Sequence, residues 1–131
     1  MDKTPAEALR EKKVHLGTWL SIGSPVIAYL AAESRLDWLL FDLEHGAGSK
    51  DALLGQLQAI RATPAAAVVR VGAAQPDLIG RVLDRDAHGL MVPHVSSVAQ
   101  AEACVRAAYY PPRGRRGVAR SVRASGISAT V

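Results

Sequence analysis

The segment Asp-Trp-Leu-Leu-Phe-Asp-Leu-Glu-His-Gly, residues 37–46, decides how this sequence folds. Its first half, from Trp38 to Phe41, is a continuous apolar run of the kind found in parallel strands buried on both faces. Ser49 follows at the position of a helix N-cap, and leucine and isoleucine then recur at helical spacing. A buried strand joined to an amphipathic helix is the repeating unit of α/β proteins with a parallel sheet.

The same strand–helix unit recurs on both sides of this segment. Four strands are predicted, at residues 14–20, 38–41, 66–71 and 89–92. The helices between and after them are predicted to begin at the Ser24-Pro25 pair, at Ser49, at Pro76 and at a capping box formed by Ser97 and Gln100. The sequence therefore contains four consecutive βα units.

Two architectures are compatible with four such units. An open doubly wound sheet normally carries a glycine-rich turn after its first strand, but residues 21–25 read Ser-Ile-Gly-Ser-Pro and match no dinucleotide fingerprint. A (β/α)8 barrel needs eight units in ~250 residues. Because four units occupy 131 residues, we predict an α/β fold of the (β/α)8 TIM-barrel family. Residues 1–131 are expected to form a single domain that covers about the first four units.

Charge is distributed unevenly along the chain. Residues 1–102 carry ten Lys/Arg against twelve Asp/Glu, whereas residues 103–131 carry six arginines and no acid. The basic part contains no recognised nucleic-acid-binding motif, so we interpret residues 113–131 as an Arg/Gly/Ser-rich loop or tail that meets an acidic substrate or a partner subunit. Neither nucleic acid nor a membrane is expected as a partner, since no apolar run approaches the length of a bilayer span.

Cysteine content and the N-terminus indicate the compartment. Cys104 is the only cysteine, which excludes an internal disulfide and favours a reducing cytoplasm. The first thirteen residues carry seven charges and do not resemble a secretory signal. Cys104 is expected to be a buried filler on the last helix, beside an apolar stripe made of Ala101, Val105 and Ala108.

Three ionisable residues follow the second strand directly. Asp42, Glu44 and His45 would be costly to bury next to a core unless they were paired or bound a ligand. Three interpretations are open: a loop that returns to solvent, a metal site made of this cluster alone, and an acid–base group. We favour the last, because histidine titrates near neutrality and a neighbouring carboxylate can orient it.

Other polar residues are expected near the same edge of the sheet. Arg70 ends the third strand, either as a structural ion pair or as a guanidinium suited to a carboxylate or a developing oxyanion. His94 follows Pro93 after the fourth strand, where pocket lining and a structural role are equally open. Asp84, at the end of the third helix, is the last candidate, whereas His15 and His88 are expected to be structural or exposed.

Several spaced motifs resemble one family, the class II pyruvate aldolases of the HpcH/HpaI group. The resemblance runs from about residue 15 to residue 124. It rests on the stretches 17–20 (Gly-Thr-Trp-Leu), 37–45, 69–71 (Val-Arg-Val), 83–84 (Leu-Asp), 90–93 (Leu-Met-Val-Pro) and 109–118 (Tyr-Tyr-Pro-Pro-Arg-Gly-Arg-Arg-Gly-Val). Several motifs in the right order are more specific than any one of them.

The resemblance implies roles for individual residues. His45 would be the acid–base group, and Asp84 the carboxylate that strengthens it as a base. Arg70 would bind the keto acid and stabilise its enolate, with Trp19 beside it in the substrate-binding region. Asp42 and Glu44 would have supporting roles in the pocket and around the waters of a metal.

The resemblance also implies a cofactor and an assembly. The cofactor would be a divalent metal, Mg²⁺ or Mn²⁺ with Co²⁺ possible, whose protein ligands are expected beyond residue 131. The protein would be a homo-oligomer, a hexamer in this family. With the metal ligands elsewhere, this chain would hold the acid–base and arginine half of the site.

The expected activity is metal-dependent aldol cleavage or formation of 4-hydroxy-2-keto acids from pyruvate and an aldehyde, through a pyruvate enolate, in the catabolism of aromatic compounds. The alternatives are a citrate-lyase-like enzyme that acts on CoA esters and a non-catalytic barrel fragment or assembly module. Alone, the chain is expected to be inactive and insoluble, molten or oligomeric. Its strand residues would pack against four further strands, namely Trp19, Leu39, Phe41, Val69, Leu90 and Val92.

Overall fold

The computed structural model describes residues 5–125 as four parallel strands that alternate with helices. The strands are β1 (Gly17–Leu20), β2 (Trp38–Asp42), β3 (Ala66–Arg70) and β4 (Gly89–Met91). The helices are α1 (Pro5–Ala8), α2 (Pro25–Glu33), α3 (Lys50–Ala59), α4 (Pro76–Asp84) and α5 (Val98–Ala108), and a 3-10 turn follows at Arg123–Ser125. Within the described residues, none of the helices is long and apolar enough to cross a membrane.

Strand order identifies the architecture. The four strands lie in the order β1-β2-β3-β4, and each pairs in parallel with the next strand along the chain. A doubly wound sheet would place its first strand inside the sheet, with later strands on both sides. Sequential parallel neighbours are instead the arrangement of a (β/α)8 barrel, so the predicted barrel-type α/β fold with four βα units is confirmed.

The first strand is shorter than predicted. Residues 14–16 were included in it, but pairing with β2 begins only at Gly17. Before that point the side chain of Asp37 accepts the backbone N–H of Leu16, at 2.8 Å, and Val14 and Leu16 are exposed. The carbonyl of Leu16 accepts the backbone N–H of Asp37 at 2.7 Å, so Leu16 and Asp37 join the chain to the sheet just before the strand pair begins.

The helices begin where the sequence predicts. Three serines accept a hydrogen bond from the backbone N–H three residues further on, at 3.1–3.4 Å: Ser24, Ser49 and Ser97. Pro76 is the first residue of α4, although Gln75 before it makes no side-chain cap. The capping box differs by one residue, since the side chain of Gln100 accepts the N–H of Ser96 and not that of Ser97.

The two faces of the sheet have different environments. Leu39, Phe41 and Val69 are fully buried in a cluster that includes residues of the helices. We expected these side chains to pack across the barrel interior, as well as Leu90 and Val92, which pack against the same cluster. That expectation is wrong, because alternate residues of a strand face opposite sides. Trp19 lies on the other face beside Arg70 and is 45% exposed, as expected for the interior side of a barrel.

The C-terminal segment folds back onto α5. The N–H groups of Arg115 and Arg116 donate to the carbonyls of Arg106 and Tyr109, at 2.6 and 3.0 Å. The predicted apolar stripe of α5 is wrong in part: Ala101 and Val105 are exposed, Cys104 is only partly buried, and Ala107 is the buried residue. Residues 126–131 of the predicted loop lie outside the described residues.

His88 extends the pairing between β3 and the turn that precedes β4. Its Nδ1 accepts the backbone N–H of Ala67 at 2.9 Å, and its own N–H donates to the carbonyl of Ala67 at 2.9 Å. An imidazole nitrogen can accept only when it carries no proton. Burial of the ring lowers the pKa of His88, which favours the same neutral form.

We expect His88→Ala to lower the free energy of unfolding by ~1–3 kcal/mol, because the buried Ala67 N–H loses its acceptor. His88→Asn should lose less, since its Oδ1 can replace Nδ1. The pKa of His88 is below its ordinary value of 6.5 in the fold, so the stabilisation is complete above that pH and is lost as pH falls through the folded pKa. Urea unfolding at several pH values measures both effects. Equal losses in the two variants would contradict this role.

Candidate active site

The polar residues singled out by the sequence meet where β2 and β3 end. Asp42 and Arg70 are the last residues of their strands and are paired across the sheet. The carboxyl ends of parallel strands in a barrel lie at one edge, which is where barrel enzymes place their active sites. The next strand contributes Met91, which is paired with Arg70. This edge is the candidate active site.

Arg70 and Asp42 form a two-point ion pair at this edge. The Nε and NH2 groups of Arg70 donate to the two carboxylate oxygens of Asp42, at 2.9 and 2.7 Å. Asp42 also accepts the backbone N–H groups of Glu44 and His45, at 3.0 and 3.2 Å. The bond from Arg70 is the main cause that holds the pKa of Asp42 well below its usual range, and Asp42 in turn raises the pKa of Arg70. Both groups are therefore charged near neutral pH.

Glu44 connects this ion pair to two histidines. One of its oxygens lies 3.1 Å from NH1 of Arg70. The other lies 3.0 Å from Nε2 of His94 and 3.6 Å from Nε2 of His45. The Glu44 side chain is buried, whereas the two imidazoles are 81% and 74% exposed. A buried carboxylate thus binds one guanidinium and one solvent-facing imidazole, and a second imidazole lies 3.6 Å away.

Trp19 covers Arg70 from β1. The guanidinium carbon lies 4.7 Å from the centre of the indole ring, which is the geometry of a cation–π contact. The two residues predicted to bind substrate are therefore neighbours. Since Trp19 remains half-exposed, its ring can also cover a molecule bound beside Arg70.

The loop that carries Glu44 and His45 is fastened to the loop after β1. The N–H of Ala47 donates to the carbonyl of Ser21 at 2.7 Å. Gly23, with a φ of 78°, packs so closely on Gly48 that a Cβ on Gly23 would lie 2.3 Å from the Gly48 Cα. Only glycine tolerates both the conformation and the contact. This close approach limits the movement of the loop that presents His45.

Asp84 lies elsewhere. It is the last residue of α4, which begins just after the carboxyl edge and runs back for ~13 Å, the length of nine helical residues. The turn that follows is bonded to Ala67 near the start of β3, and Asp84 itself accepts from NH2 of Arg116 at 2.7 Å. Within this chain the structure does not bring Asp84 to His45, and its predicted role as the partner of His45 stays a prediction.

The described residues do not make a metal site. Among residues 5–125 no group of three or more His, Cys, Asp and Glu side chains is arranged to hold a metal ion. Asp42 uses both oxygens on Arg70, and Glu44 divides its oxygens between Arg70 and the imidazoles. These contacts argue against a metal held by Asp42, Glu44 and His45 alone.

Sequence comparison relates the chain to known proteins. The family model described as HpcH/HpaI aldolase/citrate lyase matches residues 15–127. The chain is 46% identical over 127 residues to a 4-hydroxy-2-oxovalerate aldolase of Novosphingobium aromaticivorans, a match that covers 95% of this chain and 48% of the relative. It is 46% identical over 112 residues to a hydroxypyruvate/pyruvate aldolase of Pseudomonas aeruginosa, covering 86% of this chain and 42% of the relative.

Comparison with solved structures indicates the same family. The crystal structure of an HpcH/HpaI aldolase/citrate lyase family protein from Burkholderia cenocepacia superposes with a TM-score of 0.85 at 39% identity, over 92% of this chain and 50% of that one. The chain thus spans about half the length of the proteins that it matches. Because the family model matches most of its residues, the chain belongs to the HpcH/HpaI aldolase/citrate lyase family.

Proposed function

We propose that this chain supplies the acid–base and arginine part of an aldolase that cleaves and forms 4-hydroxy-2-keto acids through the enolate of pyruvate. The observation that carries the proposal is that Arg70 and His45 both contact Glu44 at the carboxyl edge of a barrel-type sheet. Family membership supports it, since the relatives described above are named as aldolases. Pyruvate and an aldehyde are the proposed substrates in the synthetic direction.

Arg70 is suited to bind the keto acid. Of the five N–H groups of an arginine, two donate to Asp42 and one on NH1 faces Glu44. Among the contacts of residues 5–125, this leaves one N–H on NH1 and one on NH2 for a carboxylate or an enolate oxygen. The ion pair fixes the guanidinium before substrate arrives, so it needs little reorganisation as negative charge develops.

His45 is suited to move a proton at the methyl carbon of pyruvate. Its imidazole is largely exposed at the carboxyl edge, and its Nε2 lies 3.6 Å from a Glu44 oxygen. A carboxylate beside an imidazole favours one orientation of the ring. In the proposed reaction His45 removes this proton when the enolate forms and returns it when pyruvate is released.

The charge of the site supports a bound cation. Asp42 and Glu44 carry two negative charges against the single positive charge of Arg70, so with neutral imidazoles the cluster has a net charge of −1 before an anionic keto acid enters. A divalent ion, Mg²⁺ or Mn²⁺ with Co²⁺ as a further candidate, is therefore part of the proposal, with ligands outside the described residues. Such an ion supplies Lewis-acid polarisation of the substrate oxygens when bound.

The alternatives differ in what they require of this chain. A citrate-lyase-like enzyme would recognise the phosphates of a CoA ester, and the family description includes citrate lyase. The arginines of the C-terminal segment do not favour it, because Arg116 lies beside Asp84 and not at the carboxyl edge. A non-catalytic barrel module would keep the packing without turnover. From the family resemblance, the proposal also includes that the enzyme is a hexamer in the cytoplasm and that it takes part in the catabolism of aromatic compounds.

The proposal predicts two metal-dependent reactions. Residues 1–131 are joined to the second half of the Novosphingobium aldolase, and the product is called the joined enzyme below. With Mn²⁺ in D2O it should exchange the methyl protons of pyruvate for deuterium, measured by NMR, and it should release pyruvate from 4-hydroxy-2-oxovalerate. EDTA should abolish both reactions, and added Mn²⁺ should restore them.

Each alternative has its own outcome. Full exchange after exhaustive dialysis against EDTA would contradict the metal. Cleavage of a 3-hydroxyacyl-CoA ester but not of the keto acid would favour the citrate-lyase-like reaction. A folded joined enzyme that catalyses neither reaction with any of the three metals would favour the non-catalytic module.

A further inference from the structure

Two imidazoles share one oxygen of Glu44. Nε2 of His94 lies 3.0 Å from this oxygen, and Nε2 of His45 lies 3.6 Å from it. The two histidines come from the loops after β4 and β2, so the shared contact joins strands that are not neighbours in the sheet. Because both rings are largely exposed, both are open to a substrate above the carboxyl edge.

The backbone at His94 is held in an uncommon conformation. Its φ of 57° lies in the left-handed region, which a residue other than glycine occupies at some energetic cost. Histidine is among the side chains that tolerate this region better than most. In this conformation the imidazole is in hydrogen-bond range of Glu44. Arg35 and Asp86 also have a positive φ, in turns that precede β2 and β4, so it is the contact with Glu44 and not the backbone conformation alone that distinguishes His94.

The proposed reaction needs proton transfer at two different atoms. In cleavage, the 4-hydroxyl oxygen of the keto acid must lose a proton so that it can become the aldehyde oxygen. Carbon 3 must gain a proton so that the enolate becomes pyruvate. The hydroxyl and the methyl carbon are on opposite sides of the bond that breaks, and His45 accounts for only one of them.

We propose that His94 is the catalytic group for the 4-hydroxyl, which makes it the residue that faces the aldehyde. This inference rests on the proposed function. In cleavage, Nδ1 of His94, the ring nitrogen that does not face Glu44, takes the hydroxyl proton, and the O–H electron pair forms the aldehyde C=O bond. The C3–C4 bond breaks, and its electron pair enters the enolate.

The shared carboxylate oxygen closes the cycle. As Nδ1 of His94 gains the hydroxyl proton, the Nε2 proton of His94 passes to Glu44 and from there across the 3.6 Å contact to Nε2 of His45, and His45 delivers a proton to carbon 3 as the enolate collapses to the ketone. One proton leaves the hydroxyl and one proton arrives at carbon, so the reaction needs no external acid, oxidant or reductant. In synthesis the same proton moves the other way, from the methyl carbon to the new hydroxyl oxygen.

The test compares two reactions of one variant. His94→Gln places an amide nitrogen near the position of Nε2 and can keep the contact with Glu44, but it cannot carry a proton between groups. We expect the ratio of keto-acid cleavage to pyruvate methyl exchange to fall by about 10²-fold in the joined enzyme. His94→Asn, which tolerates a positive φ, should lower the ratio similarly and exclude a backbone effect. His15→Asn is the control, because His15 contacts Asp37 and the Glu11 carbonyl and not the Glu44 cluster.

The remaining outcomes are distinct. A parallel decrease of cleavage and exchange in both His94 variants would contradict the assignment of the hydroxyl proton to His94. It would make His94 a positioning residue for the whole site. Cleavage at the parent rate would exclude His94 from the reaction. If the parent joined enzyme shows neither reaction, the proposed function itself is wrong and this inference is wrong with it.

Discussion

His45→Ala should lower the rate of pyruvate methyl exchange in the joined enzyme by about 10²- to 10⁴-fold, the usual contribution of a general acid–base group. The imidazole of His45 is three-quarters exposed at the carboxyl edge, and in the proposed reaction it moves the proton of the methyl carbon. His94 contacts the same Glu44 oxygen but is assigned to the other end of the substrate. Exchange should therefore fall even when His94 is intact.

Loss of His45 should affect catalysis without unfolding the protein. Among residues 5–125 the side chain makes one long contact, 3.6 Å, and its backbone N–H donates to Asp42 whatever the side chain is. Urea unfolding of His45→Ala should therefore match the parent, and pyruvate exchange by His15→Ala, which lacks an imidazole remote from the site, should stay near the parent rate. Exchange at the parent rate in His45→Ala would remove this residue from the mechanism.

Most of the fold was predictable because local signals agreed with one another. Ser24 and Ser49 mark helix starts, and the structure places their hydroxyls on the N–H groups that a cap must satisfy. The face of the sheet on which each strand side chain lies could not be predicted from such local signals. A run such as Trp38 to Phe41 is apolar at every position, so it contains no alternation that shows which residues face the helices.

The candidate site was predictable as a set of strand ends but not as a set of contacts. Asp42 and Arg70 could be placed at the same edge because parallel strands end together. The contact between Glu44 and His94 spans 50 residues and depends on a left-handed turn, for which the sequence carries no signal. The position of Asp84, in contrast, could be predicted from the sequence. A helix of nine residues that begins at Pro76 ends away from the carboxyl edge.

Arg70→Lys should lower keto-acid cleavage by about 10²- to 10³-fold, the usual effect of losing one fixed donor to a developing oxyanion. An ammonium keeps the positive charge but cannot bind both oxygens of Asp42 and also present N–H groups to the substrate. Turnover near the parent rate in Arg70→Lys would favour the structural ion-pair interpretation instead.

A double replacement separates the two roles of Arg70. Arg70→Met alone leaves the buried Asp42 carboxylate without its cation, so the urea midpoint should fall at pH 7. Asp42→Asn added to Arg70→Met removes that uncompensated charge and should recover part of the midpoint. The pKa of Asp42 is depressed in the fold, so the stabilisation by the pair is present above the ordinary value of 3.8 and is lost as pH falls through the folded pKa. The double variant should lack this acid dependence.

The cleavage activity of the double variant should stay as low as that of Arg70→Met, because no guanidinium faces the enolate. If activity returned together with stability, Arg70 would act only by holding Asp42.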